Sequence, residues 1–146
     1  MVIWDALFIL LRPASFPGGS LGFIWEFGYV LYMGVDRAYA DQANTYLHAL
    51  ATMSLFEACI VGVGIYAHRT NKNREAHLLV LVAASLICAK TILFVLVEAW
   101  SGWHSIGHNE LIPLLLVWVI PNGLWIVVPT AVIADTSRRL LNQLNS

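Results

Sequence analysis

Residues 77–97 read HLLVLVAASLICAKTILFVLV, an apolar run interrupted by a single cation, Lys90. A bilayer-spanning helix needs about 20 mainly apolar residues at a rise of about 1.5 Å each, and this run supplies them. Residues 46–67 and 111–134 meet the same length. Residues 15–35 form a fourth candidate span with a shorter apolar core. It holds Glu26 and is framed by Pro17-Gly18-Gly19 and Asp36-Arg37, which read as a helix start and a turn. Ahead of it, residues 4–11 are apolar, reach about half a span and stop at Arg12-Pro13. They read as an interfacial or re-entrant helix. The expected fold is all-α: a single domain over 1–146, an integral membrane bundle of four transmembrane helices plus a short N-terminal interfacial or re-entrant helix.

Composition points the same way. The chain has 146 residues, 59% hydrophobic and 12% charged, with a mean hydropathy of +0.72. That is about half the charge of a soluble domain, and a water-soluble fold of this size could not hide so much apolar surface. A cytosolic enzyme and a disordered chain are excluded. So is a nucleic-acid binder, which needs a basic excess where the net charge is −1. Cys59 and Cys88 form no CxxC pair and read as small core residues. The start, Met1-Val2-Ile3-Trp4-Asp5, lacks the basic region of a cleaved signal peptide, so the chain is expected to be retained whole. With four spans, Arg12, the Arg69/Lys72/Arg74 group and the Arg138/Arg139 pair all fall on one side. Basic loops mark the cytoplasmic face, which puts both termini there.

An ionisable group at membrane depth is costly unless it is paired or lines a polar cavity, which makes it a functional candidate. Glu26, Glu57 and Lys90 are such groups, Asn122 lies mid-way along the last span, and Glu98 is near the end of the third. Packing offers a rival account: a Glu57–Lys90 ion pair between helices and an interhelical hydrogen bond from Asn122. Polar groups on every span favour a shared pocket instead. Trp118, Asn122 and Trp125, spaced i, i+4, i+7, fall on one helix stripe. Pro121 and Pro129 free backbone carbonyls nearby. A Trp face attracts cations and an amide can orient a carboxyl group, so these are parts that can make and hold a carbocation. His104 and His108, with Glu110, have a metal-like spacing. The glycine-containing loop and the absence of HExxH favour a solvated loop, so no metal and no cofactor are expected.

The stretch 121–129, PNGLWIVVP, resembles the NxLWxxxP signature of the emopamil-binding protein (EXPERA-domain) family of membrane proteins, which includes a sterol isomerase. Asp135 and the basic tail follow as in that family. Glu98 with Gly102, Glu26 opening EFGYVLY, Glu57 on the next span and Asp36-Arg37-Ala38-Tyr39 are also similar to family elements. The family's histidine before the first glutamate is Gly22 here, its threonine after the second is Ile60, and Lys90 has no counterpart. Trp25-Glu26-Phe27-Gly28-Tyr29 is similar to a motif of fungal membrane terpene cyclases. The first resemblance implies a sterol- or terpenoid-like substrate taken from an endoplasmic-reticulum membrane, and a possible homodimer.

The resulting expectation is a membrane isomerase that shifts a carbon–carbon double bond through a carbocation. Glu26 or Glu57 donates the proton, the other carboxylate removes one, and Trp125 with Asn122 holds the cation. If Lys90 pairs with Glu57, Glu57 is the base and Glu26 the acid; if it pairs with Glu26, the roles swap. Tyr29, Trp118, Lys90, Thr91, Glu98 and Asp36 are expected around the substrate. The alternatives are an acid-initiated terpenoid cyclase, a non-catalytic lipid-binding protein and, lacking an inverted repeat, an ion-coupled transporter.

Overall fold

Backbone groups deprived of water must bond one another, so the apolar runs of this chain become helices. The structure is a computed structural model that describes residues 2–144. In chain order it contains α1 (Val2–Leu10), α2 (Glu26–Val35), a short α3 (Arg37–Ala40), α4 (Thr45–Arg69), α5 (Asn73–Trp100) and α6 over 111–144. The last begins as Leu111–Pro113, passes through a π-helical stretch Leu114–Val119 and continues as Ile120–Leu144. No strand occurs among the described residues.

Among the described residues, three helices are long and apolar enough to cross a membrane: Thr45–Arg69, Asn73–Trp100 and Leu111–Gln143. Their outward faces carry exposed Phe56, Leu93, Leu116 and Leu124, an apolar surface suited to lipid. Asn44 starts α4 by accepting the Leu47 N–H at 3.0 Å. Small buried residues, Ala76, Ala83 and Ala84 on α5 with Gly64 on α4, let the long helices approach closely.

Residues 15–35 are not the fourth span that their composition indicates. Only Glu26–Val35 is α-helical, about 15 Å of rise and half a hydrocarbon core. Residues 11–24 form successive turns and the 3₁₀ turn Gly22–Ile24. The glycines decide this. A Cβ on Gly19 would collide with the Ala14 carbonyl, and one on Gly22 with the Phe16 carbonyl. Pro17-Gly18-Gly19 therefore closes a tight turn instead of starting a long helix.

This turn folds α2 back against α1. The rings of Trp4 and Trp25 meet at 5.1 Å, those of Phe8 and Tyr29 at 4.0 Å and those of Phe8 and Phe16 at 5.7 Å. The Trp25 indole donates to the Trp4 carbonyl at 3.1 Å. The Arg12 guanidinium sits 5.2 Å from both the Phe8 and Phe16 ring centres and donates to the carbonyls of Tyr39 and Asp41 at 2.7 and 2.9 Å. Arg12 thus lies where α4 begins, at the opposite end from Arg69, Lys72 and Arg74. That corrects the expectation of one shared basic side. The tail does join the Arg69 end, where Gln143 meets His77 at 3.5 Å.

Candidate functional site

The α1–α2 unit, α4, α5 and α6 line a half-open cavity of about 480 Å³, within the range that holds a small apolar ligand. Most of its wall is aromatic or aliphatic, including Trp4, Ile9, Tyr29, Leu47, Leu50, Ile87, Phe94 and Trp125. Its polar groups are Asp5, Ser54, Glu57, Lys90, Thr91, Asn122 and the hydroxyls of Tyr29, Tyr32 and Tyr39.

Glu57 and Lys90 form the central feature. Lys90 Nζ lies 2.6 Å from Glu57 Oε2 and also donates to the Ser54 hydroxyl. Glu57 is 1% exposed, and its other oxygen, Oε1, has no hydrogen-bond partner. An ionised pair inside a low-dielectric region is retained only when its geometry is good, and here the remaining carboxylate oxygen is left over. That oxygen can accept a proton or a hydrogen bond from a ligand.

Asp5 is the second carboxyl of the cavity, and reading the sequence alone missed it. The Tyr29 and Tyr39 hydroxyls donate to its two oxygens at 2.7 and 3.2 Å. Burial pushes the Asp5 carboxyl up, against these phenols and the charge of Lys90, which act in the other direction. A signal was present: an ionisable residue within an apolar segment is a candidate whether or not that segment is long enough to span.

Of the expected site residues, Glu57, Asn122, Trp125, Tyr29, Lys90 and Thr91 come together around this cavity. Asn122 donates to the Trp118 carbonyl at 2.8 Å. Thr91 spends its hydroxyl on the Ile87 carbonyl at 2.9 Å. Glu26 does not join them. It is exposed on the first turn of α2 and outside the cavity wall, because the re-folded 15–35 segment turns that position outward.

Trp118, Asp36 and Glu98 also lie outside the wall, and each braces the protein. The Trp118 indole donates to Asp36 at 3.1 Å, while Asp36 accepts the Ala38 N–H at 2.9 Å. Glu98 Oε1 accepts the N–H groups of Ser105 and Ile106 at 2.7 and 3.2 Å and fixes the loop after α5. The π-helical stretch separates Trp118 from the stripe it was expected to share with Asn122 and Trp125. There the Ile120 N–H bonds Leu115, five residues back, which inserts an extra residue into the turn. The loop histidines hold no metal constellation: His108 contacts the Gly34 carbonyl at 3.0 Å, and among the described residues no group of three His, Cys, Asp or Glu could bind an ion.

Burial raises the Asp36 carboxyl from 3.8 to about 6, against the Ala38 and Trp118 hydrogen bonds and with the help of the Glu98 charge. A carboxyl raised on folding binds protons more tightly in the native state, so its contribution is full below about pH 4 and fades as pH rises through about 6. The expected result is that unfolding experiments on Asp36→Asn lose about 3 kcal/mol of pH-dependent stability change across this window. A uniform cost comes on top, since one amide oxygen cannot serve both donors. Equal pH slopes in the two proteins would remove Asp36 as the titrating group.

Compared with protein-family models, curated proteins and solved structures, the chain has no match. The site therefore stands on its own geometry.

Proposed function

We propose that the protein is a membrane isomerase, resembling the emopamil-binding protein family, that shifts a double bond in a sterol- or terpenoid-like lipid. One observation carries the reading: Glu57, with an unpartnered oxygen, lines the same apolar cavity as a second carboxyl, Asp5, and the Trp125 ring. The α1–α2 unit acts as a re-entrant wedge that closes this cavity against three membrane-crossing helices.

In this reading Asp5 takes the part first given to Glu26. Its proton passes to one alkene carbon, leaving a tertiary cation on the neighbouring carbon. The phenols of Tyr29 and Tyr39 stabilise the carboxylate left behind, and the Trp125 face stabilises the cation. Glu57 Oε1 then removes a proton from the carbon on the far side, and the electrons of that C–H bond form the shifted double bond. Return of the proton from Glu57 to Asp5 resets the site. The cyclase alternative draws less support, since the glutamate of its motif, Glu26, stands outside the cavity.

The test uses protein in lipid nanodiscs, incubated in deuterated water with a ring-unsaturated sterol and, separately, a linear isoprenoid. A shifted double bond carrying one carbon-bound deuterium supports the isomerase. Ring closure of the linear substrate points to the cyclase, and unchanged lipid to a binding protein. Glu26→Gln is expected to keep turnover within about twofold of wild type; a loss of two orders of magnitude would return Glu26 to the mechanism.

A further inference from the structure

A second, smaller cavity lies beyond the site described above. It measures about 280 Å³ and sits where α4 begins and α5 ends, walled by Tyr46, Phe94, Glu98, Ser101 and His104 among others. Phe94 lines both cavities, which therefore adjoin at this side chain. Along α5, Glu98 is about 12 Å of helical rise from Lys90.

Two polar groups in this second cavity have bonding capacity to spare. The Tyr46 hydroxyl is buried without any hydrogen-bond partner, a costly arrangement that is rare in folded proteins. Glu98 is 7% exposed, and both of its loop N–H bonds fall on Oε1, leaving Oε2 free of them. A phenol donates one hydrogen bond, whereas a carboxylate can only accept. A group that serves both must accept from Tyr46 and donate to Glu98. An alcohol does this; a ketone can only accept, and a hydrocarbon does neither.

We infer that this cavity receives the hydroxyl of an amphiphilic polycyclic alcohol whose apolar body reaches past Phe94 into the main cavity. The inference rests on the main cavity being a lipid site, as proposed above, and does not require that the lipid be turned over. It assigns Tyr46 a specificity role that packing does not demand.

The experiment measures binding of cholesterol, cholestanone and the oxygen-free cholestene to the full chain in phosphatidylcholine nanodiscs. Wild type is expected to hold the alcohol about tenfold more tightly than either the ketone or the hydrocarbon. Tyr46→Phe removes only an unpartnered hydroxyl, so the fold persists. It is expected to lose about tenfold in cholesterol affinity and nothing for cholestene. Equal affinities of wild type for the three lipids, no binding of any, or a Tyr46→Phe effect that is absent or the same for alcohol and hydrocarbon would each overturn the pocket. Deuterium transfer is scored separately. Tyr46-dependent alcohol binding without it keeps the pocket and removes the isomerase; transfer without a Tyr46 effect keeps the isomerase and removes the pocket.

Discussion

Glutamine in place of Glu57 is expected to lower turnover by about 10³-fold while changing substrate affinity little. The amide keeps the shape of the side chain and an oxygen for Lys90, so the 2.6 Å contact can persist as a hydrogen bond. What disappears is the ability of Oε1 to take a proton from carbon. Deuterium incorporation followed at several substrate concentrations separates kcat from KM. If KM alone rises, Glu57 positions the lipid and is not the base.

Methionine in place of Lys90 is expected to cost about 3–5 kcal/mol of stability. The loss does not measure the worth of the ion pair. It arises because Glu57, 1% exposed, is left buried without its cation. The double variant, Glu57→Gln with Lys90→Met, should therefore recover to within about 1 kcal/mol of wild type, since both charges leave together. Unfolding in detergent across the four proteins of this cycle provides the measurement. Stability unchanged in Lys90→Met would mean that Glu57 does not depend on Lys90, and the structural weight given to the buried pair would have to be given up.

The three helices long and apolar enough to cross a membrane were legible because their signal is local: length and hydropathy mark them without reference to any partner. The convergence of Glu57, Lys90, Asn122 and Trp125 was legible for a related reason, since polar groups at similar depth on neighbouring helices have few other places to go. What failed depends on contacts distant in sequence. Arg12 carries a charge that reads as a topology signal, yet it is bound by carbonyls of Tyr39 and Asp41 and by two aromatic rings. Its position follows from tertiary packing, which overrides the loop-charge rule. Likewise Pro17, Gly18 and Gly19 punctuate a helix start and a compact turn equally well in sequence. Only the close approach of Gly19 and Gly22 to the preceding backbone selects the turn, and that choice moves Glu26 outward and brings Asp5 in. Trp118 separated from its stripe because one π turn shifts the helical phase, an event that an ideal period of 3.6 residues cannot anticipate.

The half-length of α1 and α2 has a geometric consequence. Three helices packed side by side leave no free axis between them, so α4, α5 and α6 alone cannot surround a ligand-sized void. The void exists only at the level where the two half-helices add further walls, between the middle of the bundle and the end that holds Arg12. The main void is therefore one-sided along the bundle axis, lying in the half nearer Arg12 and not centred between its two ends.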